Sequence, residues 1–134
     1  MHLLDTDICI YIINKRSKNI LNKIYSLNPD DIKISAITAA ELEYGVSKSK
    51  RRNQNRIALY NFLSPFKIIP FDIHDVEICG VIRAYLESQG KVIGPYDMQL
   101  AAQALARDLI LVTNNTNEFG RITGLKLENW SREA

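Results

Sequence analysis

The chain has 134 residues, of which 46% are hydrophobic and 24% charged. This balance is typical of one globular domain whose core needs neither disulfides nor a structural metal. Lys and Arg number 17 against 15 Asp and Glu, which permits nucleic-acid binding without requiring it. The N-terminal residues lack a signal peptide and no apolar run reaches transmembrane length, so we expect a cytoplasmic protein without membrane contact. Cys9 and Cys79 lie in apolar helical patterns without zinc-site spacing, which predicts buried, reduced thiols.

Short strand-like segments alternate with helical patterns along the whole chain. Helices are predicted from Ile8, from Ser17, after the possible capping box Thr38–Glu41, over 57–63, from Asp72 to Gly90, and after Asp97. The alternation predicts one domain over residues 1–134, of the α/β class, with a central parallel sheet and helices on both faces. The predicted strands are His2–Leu4, Ile32–Ser35, Lys67–Ile69, Leu109–Thr113 and Leu125–Glu128.

Acidic residues follow these strands, where an open parallel sheet places its ligand sites. Asp5 and Asp7 follow the first strand, Glu41 lies in the helix after the second, and Asp97 begins a late helix after Gly94-Pro95. Asn114, Asn115 and Glu118 follow the strongly apolar segment Leu109–Val112. Carboxylates brought together repel one another unless a cation or proton intervenes, and oxygen ligands without His or Cys suit Mg²⁺ or Mn²⁺. Metal-assisted phosphodiester hydrolysis is the reaction class that follows.

Each acid also has a purely structural interpretation, which the sequence leaves open. Asp5 is suited to capping the next helix, and Asp7 and Asp97 to stabilising a helix dipole. Glu41 fits a capping box with Thr38, and Glu118 fits an ordinary polar loop. Their shared location at strand ends is what favours a site.

A basic segment lies between the second and third predicted strands. It is suited to contacting a phosphate backbone, and equally to being a solvated connection between helices. Its members are Lys48, Lys50, Arg51, Arg52 and Arg56.

Five sequence blocks in this order resemble the PIN-domain ribonucleases, and within them the VapC toxins of bacterial toxin–antitoxin pairs. They are Leu4–Asp7, Ile37–Gly45, Gly94–Asp97 with its Ala-rich helix, Leu111–Phe119 and Gly124–Trp130. The resemblance covers essentially the whole chain. It implies a three-layer α/β/α fold around a parallel sheet, and an endoribonuclease that uses Mg²⁺ or Mn²⁺ to activate water.

By this resemblance, Asp5, Glu41 and Asp97 match the three acids of the family's site, with Asp5 and Asp97 as direct metal ligands. Many family members carry a further aspartate after the last buried strand. Asn114 and Asn115 occupy that region here and are candidates to position a metal-bound water, while Glu118 is the candidate for the missing carboxylate. The number of bound metals stays open.

The resemblance also implies partners: a VapB-like antitoxin, a second copy of the chain in a homodimer, and operator DNA bound by the complex. The expected antitoxin surface is the groove between the helices that flank the basic segment, with an antitoxin arginine entering among the carboxylates. Transfer RNA or ribosomal RNA is the expected substrate, cut in a single-stranded loop.

Two other functions fit parts of the sequence. Asp5-Thr6-Asp7 is similar to the nucleophile motif of haloacid-dehalogenase-like phosphatases, although Gly does not follow Asp7 and no Asp pair follows the last strand. The asparagines at 114 and 115 suit a non-catalytic RNA-binding PIN module.

Overall fold

The computed structural model describes residues 1–131, and its centre is a five-stranded sheet in the order β3-β2-β1-β4-β5. Every strand pair in the sheet is parallel, which confirms the predicted parallel sheet. The strands are β1 His2–Leu4, β2 Ile32–Ser35, β3 Lys67–Ile69, β4 Ile110–Val112 and β5 Leu127–Glu128.

Helices cover both faces of the sheet, because successive side chains along each strand point to opposite sides. Leu3 packs in one core with Ile82 and Met98, whereas Leu4 packs in a second core with Ile8 and Leu42. The fold therefore has the three layers that were expected. The helices are α1 Thr6–Ile13, α2 Lys18–Ser26, α3 Ala36–Ser47, α4 Arg52–Leu63, α5 Ile73–Ser88, α6 Pro95–Ala106 and α7 Thr116–Phe119, with one 3-10 turn at Pro29–Asp31.

Local structure differs from the sequence prediction in three places. The N-cap of α3 is Ser35, whose side chain accepts a hydrogen bond from the Ile37 amide at 3.0 Å, so the predicted capping box at Thr38 is wrong. Helix α4 already begins at Arg52, which shortens the basic connection between the helices. The polar loop after β4 contains α7, a helix of four residues.

The order in which strands are added to the sheet reverses beside β1, because β2 and β3 lie on one side of it and β4 and β5 on the other. In open α/β sheets the crevice at such a point binds ligands at the carboxyl ends of the strands. Asp5 follows β1 and Thr113 follows β4, so both lie at this crevice. Among residues 1–131, no helix is long and apolar enough to span a membrane.

Arg107, at the C-terminus of α6, joins that helix to the start of α5. Its guanidinium donates to Asp75 at 2.5 Å, to Asp72 at 3.2 Å and to the Pro70 carbonyl at 3.2 Å. Asp75 is fully buried, so removing the arginine would leave a buried carboxylate without its charged partner.

We expect Arg107→Ala to lower the free energy of unfolding by about 2–4 kcal/mol, because it isolates a buried charge. The matched control is Arg83→Ala, which breaks the exposed pair of Arg83 with Glu87 and costs under about 0.5 kcal/mol. Urea denaturation measures both values, and equal losses would contradict the structural role assigned to Arg107.

Candidate active site

Asp5 is buried at the end of β1, with 6% of its surface exposed. It occupies the N-cap position of α1, yet its side chain makes no capping hydrogen bond. The carboxylate instead accepts a hydrogen bond from the Thr113 hydroxyl at 2.7 Å. The Thr113 oxygen in turn accepts the Asn115 amide proton at 2.9 Å. The structural interpretation of Asp5 as a helix cap is therefore wrong, and its side chain is held towards the end of β4.

Asp97 lies in the first turn of α6, where Gly94 is the N-cap and Pro95 the first helical residue. Proline suits that position because its missing N–H would be unpaired there anyway. The Asp97 Oδ2 atom lies 3.8 Å from the point where a Cβ on Gly94 would be, so the carboxylate folds back over the helix N-terminus. The helix dipole there favours a negative charge.

Glu41 is held by hydroxyl groups rather than by a capping box. The Thr6 hydroxyl donates to Glu41 Oε1 at 2.9 Å, and the Thr6 oxygen lies 3.0 Å from the Thr38 oxygen. Because Thr6 has one proton and gives it to Glu41, Thr38 donates to Thr6. The chain of bonds joins α1 to α3 and orients the Glu41 carboxylate.

Glu118 lies in the short helix α7, beside the two asparagines. The Asn115 side chain donates to Glu118 Oε2 at 2.9 Å. Asn114 has a buried Oδ1 atom that accepts no hydrogen bond from any residue of the described range 1–131. Gly120 ends α7, and a Cβ there would lie 2.6 Å from the Thr116 carbonyl oxygen, so only glycine lets the chain turn this closely behind Glu118.

The electrostatics show that these acids belong to one cluster. Burial is the main cause that raises the pKa of Asp5 to about 6, and the charges of Asp7 and Asp97 add to it against the Thr113 hydrogen bond. Partial burial also raises the pKa of Asp97, with further contributions from Glu118, Glu41 and Asp7. The fold thus gathers all four predicted acids, and the exposed Asp7 lies at their edge.

The chemistry of this cluster fits a hard divalent cation. Its donors are carboxylate oxygens, and the unpartnered Asn114 Oδ1 adds a neutral acceptor of the kind that binds an ion or its water. Within residues 1–131, no three acidic, histidine or cysteine side chains stand close enough to hold one ion directly. An ion at this cluster would therefore be held by two carboxylates, and water and substrate oxygens would complete its coordination. This is the usual arrangement of Mg²⁺ in phosphoryl-transfer sites.

The basic residues lie apart from the acids, beyond the far end of α3 and along α4. Lys48 packs over the ring of Tyr44 at 4.9 Å from its centre, and Arg56 binds Glu43 at 2.5 Å. Lys50, Arg52 and Arg56 line one shallow hollow on the surface, and Arg51 is the exposed N-cap of α4. The structure therefore leaves these side chains open to a ligand without bringing them to the cluster.

Three threonines orient the acids, and none of them was a predicted site residue: Thr6 and Thr113 had no predicted role, and Thr38 was predicted only as a helix cap. Their hydroxyls bond partners that are 35 residues away for Thr6 and 108 for Thr113. The only signal in the sequence was their position, since Thr6 is the first residue of α1 and Thr113 directly follows the last residue of β4.

Comparison with known proteins agrees with this geometry. A family model described as PIN domain matches residues 2–125. The chain is 44% identical to Ribonuclease VapC2 of Rickettsia felis, over 98% of this chain and 99% of the relative. It is 39% identical to the tRNA(fMet)-specific endonuclease VapC of Shigella flexneri, over 96% and 97%. The Rickettsia felis VapBC2 crystal structure, bound to a promoter DNA fragment, superposes with a TM-score of 0.91 at 45% identity, covering 96% of this chain and 98% of that one.

The fold and the acidic crevice at the end of its central strand define a PIN domain, and the chain belongs to that family. Within it, the chain belongs to the VapC ribonucleases.

The raised pKa of Asp5 leads to a pH-dependent stability in metal-free protein. Because the folded pKa of about 6 exceeds the ordinary 3.8, protonation stabilises the fold at low pH. That contribution, up to about 3 kcal/mol, is lost as the pH rises through the folded pKa. Asp5→Asn removes this titration. With a chelator present, we expect the unfolding free energy of the wild type to fall relative to that of Asp5→Asn as the pH rises from about 5 to about 7.5.

Urea denaturation of the wild type and of Asp5→Asn at both pH values gives the difference between their unfolding free energies at each pH. Asp30→Asn is a suitable control, because Asp30 is exposed in the 3-10 turn. If the difference in unfolding free energy between the wild type and Asp5→Asn stays constant with pH, the pKa of Asp5 is not raised by folding.

Proposed function

We propose that this chain is a toxin that cleaves RNA endonucleolytically with the help of Mg²⁺ or Mn²⁺. The observation that carries the proposal is the cluster of Asp5, Glu41, Asp97 and Glu118, in which burial and mutual repulsion raise the pKa of Asp5 and of Asp97. A cation relieves this repulsion. The carboxylates are therefore unfavourably placed when no cation is bound, and they become favourably placed when a cation binds.

Asp5 and Asp97 would hold the cation, with Glu41 acting directly or through water. When bound, such an ion lowers the pKa of a water and neutralises charge on the phosphate. The Thr113 hydroxyl fixes the orientation of Asp5, and Thr6 fixes that of Glu41. Asn114 Oδ1 is free to accept a hydrogen bond from the attacking water and so to position it, and Asn115 holds Glu118 as the fourth carboxylate. Water would add to phosphorus and release a proton to solvent, while the bond from phosphorus to the leaving ribose oxygen breaks and that oxygen takes up a proton from solvent.

Transfer RNA is the first substrate to test, since the Shigella flexneri relative is named as specific for tRNA(fMet); ribosomal RNA is the second. Lys48, Lys50, Arg51, Arg52 and Arg56 would contact phosphates of the RNA at a distance from the bond that is cut. These side chains lie mostly in solvent, where a basic surface adds affinity that falls steeply with salt.

Asp5→Asn and Asp97→Asn should each lower metal-dependent RNA cleavage by about a hundredfold or more, because each removes a charge that holds the ion. The measurement is cleavage of purified tRNA and rRNA with Mg²⁺, with Mn²⁺ and with chelator, and mapping of RNA 5′ ends in cells after brief expression. Asp30→Asn serves as the exposed acidic control.

Other results would favour another function. Unchanged growth inhibition by Asp5→Asn and Asp97→Asn would support an RNA-binding module without catalysis. A phosphorylated Asp5 that accumulates with a phosphate ester would support the phosphatase mechanism instead.

The antitoxin would bind in the groove that begins at Glu41. The groove runs between α1, α3 and α4, and it is mostly apolar beyond Glu41; its lining includes Ile10, Ile13, Leu42, Gly45, Val46 and Leu59. An apolar segment of the antitoxin would suit this lining, and an arginine at one end would reach the acids and neutralise them. As in the Rickettsia felis complex, the pair would bind promoter DNA.

Gly45→Phe should weaken binding of the antitoxin by about tenfold or more, because it fills this groove with an aromatic ring. A Cβ on Gly45 meets no atom within 4 Å, so the side chain starts without a steric conflict, and we expect the free enzyme to keep its RNA cleavage. The partner to use is the small protein encoded by the neighbouring reading frame. Ser47→Phe, on an exposed position of α3 outside the groove, is the control. Equal binding by both variants would place the antitoxin elsewhere.

A further inference from the structure

Gln103 lies in α6, on the same helix as Asp97, and it is fully buried. Burying an amide side chain costs free energy unless its polar atoms find partners. Both ends of this amide have one: the Oε1 atom accepts a hydrogen bond from the Ser35 hydroxyl, and the Nε2 group donates to the Pro70 carbonyl at 3.1 Å. The reverse orientation of the amide would place its oxygen against the Pro70 carbonyl oxygen, so the two partners fix the side chain in one direction.

Ser35 connects this amide to the start of α3. It is the last residue of β2 and the N-cap of α3, and its side-chain oxygen accepts the Ile37 amide proton at 3.0 Å. Because a hydroxyl has only one proton, Ser35 gives that proton to Gln103 and uses its oxygen to cap the helix. A continuous path of hydrogen bonds therefore runs from the first turn of α3 through Ser35 to the middle of α6.

The two helices that this path joins lie on opposite faces of the sheet. Helix α3 contributes Leu42 to one core, and α6 contributes Met98 to the other. Ser35 reaches the α6 face because Ile34, the residue before it, points into the α3 core. Apolar packing of each helix on its own face is non-directional, whereas a hydrogen bond between the two layers fixes direction as well as distance.

The same two helices carry two acids of the cluster. Glu41 follows Ser35 in α3, and Asp97 precedes Gln103 in α6; each acid lies roughly 9 Å along its helix from the residue that forms the link. Glu41 is among the charges that raise the pKa of Asp97, so the two carboxylates interact across the crevice. A shift of either helix changes their separation.

We propose that Gln103 is a positioning residue of the active site. Through its bond to Ser35 it sets the place of α6 relative to α3, and with it the separation between the Asp97 and Glu41 carboxylates. The inference rests on the proposed function, since the cation site is what this separation serves. An apolar side chain of similar size would fill the same space without needing partners, so the amide is there for its hydrogen bonds.

Gln103→Met keeps the length of the side chain and removes both of its hydrogen bonds. We expect it to raise the dissociation constant for Mn²⁺ by about tenfold, which is the usual effect of removing a partner that holds metal ligands in place. Ser35→Ala should do the same from the other end of the link. The variant with both changes should bind Mn²⁺ no more weakly than Ser35→Ala alone, because both changes break the same bond. The measurement is titration with Mn²⁺, followed by the electron paramagnetic resonance signal of the free ion, with tRNA cleavage over the same concentrations.

Arg107→Ala is the control that separates positioning from stability. Arg107 lies on the same helix and donates to the same Pro70 carbonyl, but its other bonds reach the start of α5 rather than α3. Arg107→Ala should therefore lower resistance to urea and still bind Mn²⁺ like the wild type, when all variants are compared under conditions in which they are folded. The proposal is overturned if Gln103→Met binds Mn²⁺ normally, or if both variants lose Mn²⁺ affinity in proportion to their loss of stability.

The outcomes also separate this inference from the proposed function. If the wild type binds Mn²⁺ and cleaves RNA, and Gln103→Met does both equally well, the positioning role alone is wrong. If the wild type cleaves RNA without binding Mn²⁺, the cation site is wrong. The positioning role then stands if Gln103→Met loses cleavage while Arg107→Ala keeps it, and fails if the two variants behave alike. A wild type that neither binds Mn²⁺ nor cleaves RNA would contradict both proposals.

Discussion

Burial of a carboxylate beside other carboxylates at the end of the central strand is the constraint on which the rest of the site depends. Asp5 is almost fully buried, and it feels the charges of Asp7 and Asp97. A buried carboxylate near others either takes up a proton or binds a cation. The parallel sheet supports this unfavourable arrangement, because the reversal of strand order beside β1 brings strand ends and helix starts together.

Neutral hydrogen bonds, rather than basic side chains, orient the acids of the cluster. Thr113 binds Asp5, Thr6 binds Glu41 and Asn115 binds Glu118. An arginine or lysine in the same place would lower the carboxylate pKa values and compete with a metal for the oxygens. Hydroxyl and amide donors fix direction while leaving the negative charge available. The basic segment lies instead at the start of α4 and in the connection before it, and Arg107 pairs with Asp75 at the opposite end of α6 from Asp97.

Much of the architecture and most of the acidic cluster could be predicted from the sequence, because both depend on local patterns. Strands such as Ile32–Ser35 and the Gly94-Pro95 break before Asp97 are visible in short windows, and a parallel sheet places strand ends together. Thr6 and Thr113 could not be found in this way, because each hydroxyl bonds a residue that is distant in the sequence and comes close only in the folded chain. The cap of α3 was misplaced because β2 runs directly into the helix, so its last residue, Ser35, also serves as the cap. Helix α7 is too short to show helical periodicity.

Asp5 and Thr6 are neighbours in the chain, yet they serve opposite walls of the crevice. Asp5 turns to β4 through Thr113, while Thr6 turns to α3 through Glu41. The peptide bond that joins Asp5 to Thr6 therefore lies between the two walls. A displacement of the chain at the start of α1 would move the Asp5 carboxylate directly, and it would strain the hydrogen bond that orients Glu41. The start of α1 thus links the positions of two acids that belong to different elements.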